Sequence, residues 1–418
     1  MIWMNPGVDG AFTTQMLALN NDIASSSETA VQRRPKVLFL VSEDRFFWSH
    51  RLPVARAALR SGYDVIVATR VQEYGQQIRD EGFHLIPLKL LRNTNSPLSE
   101  FAAIQELRRL YREEKPDFVH HFALKPVLYG SIATLGRQDM RSVNALTGLG
   151  YLVASRSWKA RLLRPLLWNV FRFFLNRPNQ RVVVENKEDK QLLASKVKVP
   201  SDRITIIRGS GVDTNAFQAL PEPVGIPLVL LASRMLWIKG IQEFVDAAKL
   251  LRQRGVSARF VLAGDTDACN PSCIPREQLL EWQESGAVEW WGHQHDMLQT
   301  FEQANVVCLP SHGGEGVPQV LLEAAACGRA IVTTDVPGCR DVVRHGYNGM
   351  VIQPRNSVAL ALAIEELLSD PAIRKQMGIH SRNIADSQFS QTAVLDQIMT
   401  LYAELFSSSH SASETRPN

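Results

Sequence analysis

The sequence predicts an α/β fold made of two Rossmann-like domains that face each other across a cleft. Short apolar runs alternate with helical stretches, the alternation restarts after a linker rich in proline and glycine, and 418 residues are enough for two ordinary domains. Such alternation gives right-handed crossovers and parallel sheets. Because ligands bind at the carboxyl ends of parallel strands, the cleft is also the predicted binding site.

The first domain is predicted over residues 35–208. Its short apolar runs are typical of strands in a buried parallel sheet, and helices are predicted at residues 52–60 and 98–113. The predicted strands are residues 36–41, 64–68, 85–88 and 117–121.

The second domain is predicted over residues 228–390, after a linker at 209–227. Helices are predicted at residues 241–254 and 318–327. A last helix, 391–406, has no strand to follow it, so we expect it to pack back on the first domain. The predicted strands are residues 228–232, 260–263, 288–291, 306–309 and 330–333.

Composition excludes several classes of protein. The formal net charge of +4 is too small to suggest a nucleic-acid-binding protein, and no apolar window is long enough to span a membrane. Residues 1–34 lack the pattern of a signal peptide, and we expect them and residues 407–418 to be disordered extensions. Five cysteines, an odd number, favour reduced thiols in the cytoplasm. Cys269 and Cys273 could form half of a zinc site, but no second pair of ligands follows at zinc spacing.

The first candidate motif is the segment 232–240, which directly follows a predicted strand. Arg234 and Lys239 lie there in a strand-to-helix loop, where two cations can meet a diphosphate. For this segment alone, a solvated basic loop is an equally good interpretation.

The second candidate motif joins Glu315 and Glu323, which are separated by seven residues, with Pro318 at the first turn of a predicted helix. The start of a helix offers free N–H groups to phosphate, and the nearby glycines let backbone approach a ligand. A carboxylate can accept hydrogen bonds from both hydroxyls of a ribose. The alternative is a charged helix face, but Glu323 lies in an apolar helix, where an unpaired carboxylate is costly.

The third candidate motif consists of Gly264 and Asp265 after one strand and of residues 291–293 after the next. Both follow strands that end at the same edge of the sheet. Asp265 and Asp267 also match the metal-binding DxD pattern, but two fixed cations can already neutralise a diphosphate, so we predict no metal requirement.

Together these motifs resemble glycosyltransferase family 4, whose members have the GT-B fold, and the resemblance covers residues 36–405. It implies a nucleotide-sugar co-substrate, a UDP-sugar, with no cofactor required. It also implies that Arg234 and Lys239 hold the diphosphate. Glu323 would then bind the ribose, Glu315 the transferred sugar, and backbone near His293 the base. The donor-binding residues implied are Arg234, Lys239, Gly264, Asp265, His293, Glu315, Gly316, Val317, Pro318, Val320 and Glu323.

Other segments resemble particular members of this family. Residues 234–239, 270–273 and 285–292 resemble bacterial N-acetylgalactosaminyltransferases that extend undecaprenyl-diphosphate-linked sugars. Residues 46–65 and 120–131 resemble O-antigen and capsule glycosyltransferases. The first loop departs from the family, because many members have two phosphate-binding glycines there and residues 42–50 contain none.

The acceptor side is predicted from polar residues of the first domain. His120 and His121 lie at the end of the predicted strand 117–121, and Lys125 follows it. All three should face the cleft, and His50 and Arg51 end the first loop. We predict that His50, Arg51, His120 and Lys125 bind the acceptor and that His121 acts in catalysis with Glu315, Arg234 and Lys239. For each histidine alone, a structural role is the stronger interpretation. The Gly-rich residues 147–150 are a weak signal for an anion site.

Residues 151–181 combine arginines with tryptophans and phenylalanines, and no acidic residue lies between Asp139 and Glu185. This pattern is typical of a helix in the headgroup region of an anionic membrane. The alternative is a core-facing helix with a solvated basic face. We therefore predict a cytoplasmic protein, peripheral on the inner face of the cytoplasmic membrane, with a polyprenyl-diphosphate-linked sugar as acceptor.

The resemblance implies a retaining transferase that moves a sugar, a HexNAc, from a UDP-sugar to a lipid-linked saccharide. The leaving diphosphate would take the acceptor proton in a same-face displacement. Two alternatives remain open at this point: a UDP-sugar 2-epimerase of the same architecture, and a non-catalytic protein that binds nucleotide-sugars.

Overall fold

A computed structural model describes residues 33–89, 96–137, 140–149, 158–268 and 270–407. The expectations for the two termini fall almost wholly outside these ranges. The described residues from Lys36 onward belong to one compact unit.

The first sheet has seven strands, and every neighbouring pair is parallel. The strand order is β3-β2-β1-β4-β5-β6-β7, so the direction of winding reverses between β1 and β4. The strands are β1 Lys36–Glu43, β2 Asp64–Arg70, β3 His84–Pro87, β4 Phe118–Phe122, β5 Arg141–Leu146, β6 Gln180–Val184 and β7 Ile204–Ile206.

The second sheet repeats this order in six parallel strands, β10-β9-β8-β11-β12-β13. Both sheets have the Rossmann arrangement, in which ligands bind beside the reversal point. The strands are β8 Leu228–Ala232, β9 Arg259–Ala263, β10 Glu289–Gly292, β11 Val306–Leu309, β12 Ala330–Thr334 and β13 Gly349–Ile352. The predicted fold class is confirmed.

Helices cover the sheets because both faces of a parallel sheet must be buried. A 3-10 turn, Trp237–Lys239, and a π-helical turn, Leu193–Val197, complete two of the connections. The helices of the first domain are α1 Asp44–His50, α2 Leu52–Arg60, α3 Gly75–Asp80, α4 Pro97–Glu114, α5 Leu124–Ala133, α6 Trp158–Leu175 and α7 Lys187–Leu192. Those that follow are α8 Ile241–Gln253, α9 Arg276–Glu284, α10 Met297–Glu302, α11 Gln319–Ala326, α12 Cys339–Val342, α13 Ser357–Ser369, α14 Pro371–Gln388 and α15 Gln391–Ser407.

The last helix, α15, packs on the first domain rather than on the second. Its apolar side chains, including Val394, Ile398 and Leu401, belong to the same buried core as β1 and α2. Its Tyr402 hydroxyl lies 2.6 Å from His120 Nδ1 on β4. Within the described residues, no helix is long and apolar enough to cross a membrane.

Candidate functional site

Lys239 and Glu315 form the centre of the candidate site. Gly240 follows Lys239 with a φ of 75°, and a Cβ there would lie 2.0 Å from the Pro310 carbonyl oxygen. Only glycine therefore allows this loop to pack on residues 310–318, which we call the glycine-rich loop. Lys239 Nζ donates to both carboxylate oxygens of Glu315, at 2.7 and 2.9 Å.

The Glu315 carboxylate has a third hydrogen bond. Ser311 Oγ donates to Glu315 Oε1 at 2.7 Å, and Thr334 Oγ1 in turn donates to the Ser311 carbonyl oxygen at 2.5 Å. These bonds fix Glu315 in one orientation at the carboxyl ends of β11 and β12.

Arg234 lies in the same loop as Lys239, after β8. Its Nη1 donates to Asp267 Oδ2 at 2.8 Å, and its side chain is half exposed. Both predicted diphosphate cations therefore face a carboxylate. An incoming diphosphate would exchange one anionic partner for another at each of them.

Glu323 lies on α11, one side of which is packed in the core of the second domain. Burial raises the pKa of Glu323 to about 7, and a hydrogen bond with Gln319 partly offsets this. Pro318 was predicted in the first turn of the helix, but it is the N-cap residue. Val317 and Val320 pack into the same core, so their backbone is what a ligand could contact.

The loops after β9 and β10 meet at Gly264. Its N–H donates to the Gly292 carbonyl oxygen at 2.7 Å, and its own carbonyl accepts from Trp290 Nε1 at 2.8 Å. Burial, then the positive charge of Arg45, lowers the pKa of His293, which indicates that His293 faces the first domain.

Asp265 and Asp267 match the DxD pattern and lie in the loop after β9. Across the residues that the structure describes, which omit Cys269, no three His, Cys, Asp or Glu side chains are grouped to hold a metal ion. The Oδ1 atom of Asp265 accepts from the N–H of Thr266 at 2.7 Å, as expected of a loop residue.

His50 and Arg51 are the acceptor-side residues that approach the second domain. Burial, together with the charges of Arg51 and Arg234, lowers the pKa of His50 to about 4. Arg51 is buried, its Nη1 donates to Ser210 Oγ at 3.4 Å, and its guanidinium lies 4.7 Å from the centroid of the Phe122 ring. Arg51 Nε is buried without a hydrogen-bond partner among the described residues.

His120 and His121 do not face the cleft, which corrects the sequence-based expectation. Strand β4 continues through both residues to Phe122, and both are buried. His121 is 0% exposed, with Nδ1 2.8 Å from Asn144 Oδ1 and Nε2 3.0 Å from the Tyr111 hydroxyl. With both ring nitrogens bonded in the core, His121 has no access to a substrate.

Lys125 lies in the first turn of α5. Its Nζ donates to Glu100 Oε1 at 3.0 Å and lies 5.1 Å from the centroid of the Tyr129 ring. Lys125 is thus part of the contact between α4 and α5.

Glu185 is a site residue that the sequence did not single out. It directly follows β6 in the first domain, and its Oε2 accepts a hydrogen bond from the Val317 N–H of the glycine-rich loop at 2.7 Å. An acidic residue directly after an apolar strand was the available signal, since that position faces the cleft.

Helix α6 covers residues 158–175 of the basic aromatic segment 151–181, whose residues 151–157 lie outside the described ranges. Phe171 and Leu175 are buried in the core. Leu166 and Phe173, seven residues apart and so on one helix face, are 62% and 65% exposed. The helix therefore has both a core-facing side and an exposed apolar side.

Two family models match the chain, which also has relatives along nearly all of its length. Residues 36–179 match a model described as glycosyl transferase 4-like, and residues 226–370 match one described as glycosyl transferases group 1. The chain is 26% identical over 382 residues to the N,N'-diacetylbacillosaminyl-diphospho-undecaprenol alpha-1,3-N-acetylgalactosaminyltransferase of Campylobacter jejuni, covering 88% of this chain and 98% of that protein. It is 22% identical over 370 residues to the capsular polysaccharide biosynthesis glycosyltransferase CapM of Staphylococcus aureus, covering 85% and 94%.

The fold has close neighbours among solved structures. The crystal structure of Anabaena HepE in complex with UDP superposes with a TM-score of 0.70 at 19% identity, covering 88% of this chain and 100% of that one. At this identity the likeness concerns the two-domain fold.

Proposed function

The chain belongs to the glycosyltransferases, with a 4-like first domain and a group 1 second domain in the GT-B fold, and from this premise we propose that it transfers a HexNAc from a UDP-sugar to a lipid-linked saccharide. The proposed transfer retains the anomeric configuration. It serves the assembly of a surface polysaccharide or related glycan.

The observation that carries this proposal is the fixed arrangement of Arg234, Lys239 and Glu315 at one sheet edge, with Glu323 on the adjoining helix. Two cations suit a diphosphate. No ion pair within the described residues reaches the carboxylate of Glu323, which is partly buried, and taking a carboxylate out of water without such a partner is costly. Two ribose hydroxyls would supply the missing hydrogen-bond donors.

The region at the ends of β9 and β10 supports uracil as the base of the donor. There Trp290 Nε1 donates to the Gly264 carbonyl oxygen, and His293 directly follows β10. The HepE structure, which shares the fold, was solved with UDP.

The proposed mechanism follows from where negative charge develops during sugar transfer. As the bond between sugar and diphosphate breaks, negative charge grows on the leaving phosphate, and Arg234 and Lys239 are held where they can stabilise it. Glu315 is bonded to Lys239 and Ser311 through its carboxylate and so is not a free nucleophile. We therefore infer a same-face displacement in which the leaving phosphate takes the acceptor proton.

The acceptor proposal rests on α6 and on one relative. The exposed Leu166 and Phe173, with Arg172 between them on an exposed position, suit the surface of an anionic membrane. The Campylobacter relative is named for an undecaprenol-linked substrate. We propose that this chain also works at the inner face of the cytoplasmic membrane, on a polyprenyl-diphosphate-linked sugar.

The test is a transfer assay on a panel of UDP-sugars and polyprenyl-diphosphate-linked saccharides, read by mass spectrometry, with the product anomer assigned by NMR. We expect a lipid-linked saccharide longer by one HexNAc, with the anomer of the donor, and the same yield in EDTA. Interconversion of UDP-sugars without acceptor would instead identify an epimerase. Binding without turnover across the panel would identify a non-catalytic protein.

A further inference from the structure

Glu185 joins the two domains at the glycine-rich loop. It belongs to the first domain, it is 8% exposed, and its Oε2 is 2.7 Å from the Val317 backbone nitrogen of the second domain. Val317 is two residues after Glu315. The first domain therefore holds the same short segment that carries the carboxylate proposed to bind the transferred sugar.

Glycines in both domains allow the close approach between Glu185 and the glycine-rich loop. A Cβ on Gly316 would lie 1.7 Å from Glu185 Oε2, and a Cβ on Gly148 of the first domain would lie 2.6 Å from the Gly314 carbonyl oxygen. Any side chain at either glycine would push the domains apart here. The contact between Glu185 and Val317 is thus part of a close interdomain fit.

Burial, with smaller contributions from the charges of Asp189 and Glu315, raises the pKa of Glu185 to about 7, although the charge of Arg51 and the Val317 hydrogen bond act in the opposite direction. A carboxyl oxygen accepts a hydrogen bond whether the group is ionised or neutral. An amide oxygen can do the same, so glutamine is the conservative replacement.

We propose that Glu185 is a positioning residue for the transfer reaction: by accepting the Val317 N–H, it holds the glycine-rich loop, and with it Glu315, in the place that the donor sugar requires. This inference rests on the proposed function for the role of Glu315. The contact itself does not depend on that function.

The matched control is Glu188, three residues further along the same domain. Its Oε1 accepts from Arg340 Nη2 of the second domain at 2.9 Å, in an exposed ion pair that includes no residue of the glycine-rich loop. Glu188→Gln also weakens an interdomain contact, but it leaves Val317 untouched.

The first measurement is amide hydrogen exchange of the peptide containing Val317, without any ligand. We expect Glu185→Ala to speed exchange there about tenfold or more, and Glu185→Gln and Glu188→Gln to leave it unchanged. Unchanged exchange in Glu185→Ala would refute the contact, whatever the enzyme does.

The second measurement is steady-state transfer. Because a small misplacement of a reacting group can cost about 10²-fold, we expect Glu185→Ala to lower kcat by about 30- to 100-fold with a nearly unchanged KM for the donor. Glu185→Gln should stay within about threefold of the wild type, as should Glu188→Gln. A glutamine variant as inactive as the alanine variant, with normal exchange, would overturn positioning in favour of a proton-accepting role. Wild-type kcat in Glu185→Ala would also overturn it.

The failure of this inference is distinguishable from the failure of the proposed function. If the wild type transfers no sugar, the proposed function fails, and the exchange experiment still decides whether Glu185 holds the loop. If the wild type is active and Glu185→Ala behaves like the wild type, the inference alone fails.

Discussion

The two halves of the cleft are built on the same strand order, yet they use polar residues differently. In the second domain, Arg234, Lys239 and Glu315 lie in loops after strand ends and bond to one another or to neighbours at the cleft. In the first domain, His120 and His121 lie inside β4 and are buried. The comparison shows that the point at which a strand ends decides whether a polar side chain lies at the cleft or in the core.

The two histidines also show how a parallel strand distributes its side chains. Successive residues point to opposite faces of the sheet. His120 accordingly contacts Tyr402 of α15, while His121 contacts Tyr111 of α4. Each face is covered by a helix, so neither histidine is left at the surface.

The largest expected effect is a loss of catalysis when residues of the second domain, which carries the predicted donor site, are replaced. Lys239→Ala and Glu323→Gln should each lower kcat/KM by about 10²–10³-fold, because each removes a contact to the leaving nucleotide. Steady-state assays with melting curves as control would check this. Folded variants with turnover close to that of the wild type would contradict the assignment of the donor site.

Replacing His121 of the first domain should have the opposite effect, because it should lower stability and leave catalysis nearly unchanged. His121→Ala removes two buried hydrogen bonds and leaves a cavity, so we expect a loss of about 2–4 kcal/mol in the free energy of unfolding. At a temperature where the variant is folded, kcat should remain within a few-fold. Denaturant titration and kinetics on the same preparation would check both values. A stable variant with a collapsed kcat would restore His121 to the catalytic residues.

Substitutions on the exposed side of α6 should weaken membrane binding and leave the donor site intact. Replacing Leu166 and Phe173 with asparagine should weaken vesicle binding about tenfold or more, because interfacial burial of the two side chains is lost. Arg172→Glu should weaken it further, by about 1 kcal/mol for each charge changed. Flotation with anionic vesicles is the measurement, and Leu362→Asn, an exposed leucine of the second domain, is the matched control. A wild type that stays in the soluble fraction would rule out this surface.

The smallest expected effect is a pH dependence of donor binding. Burial raises the pKa of Glu323 to about 7, so this group changes from neutral to ionised between about pH 6 and pH 8. The ionised form accepts hydrogen bonds from two hydroxyls more strongly. UDP affinity, measured by calorimetry, should therefore rise a few-fold over this range, and Glu323→Gln should flatten the profile. An unchanged slope in that variant would assign the effect to another group.

The sequence was sufficient for the fold of the second domain because its signals are local: apolar runs indicated the strands. An arginine, a lysine and two glutamates at fixed spacing after those runs also predicted a donor site, which stays a prediction. The first domain depended on long-range packing instead. Nothing near His121 in the sequence indicates that Asn144 and Tyr111 would satisfy both of its nitrogens, and nothing near Glu185 indicates that a backbone N–H from residue 317 would meet it.

The pairing of His120 with Tyr402 joins residues 282 positions apart in the sequence. Because α15 completes the core of the first domain, that domain lacks part of its apolar packing until α15 has been synthesised. Domains generally fold as units, with the N-terminal one first during synthesis. Here the first domain needs a helix that follows the second domain in the sequence. Closing so long a loop is entropically costly and slow, so we expect α15 to dock on the first domain after the sheet of the second domain has formed.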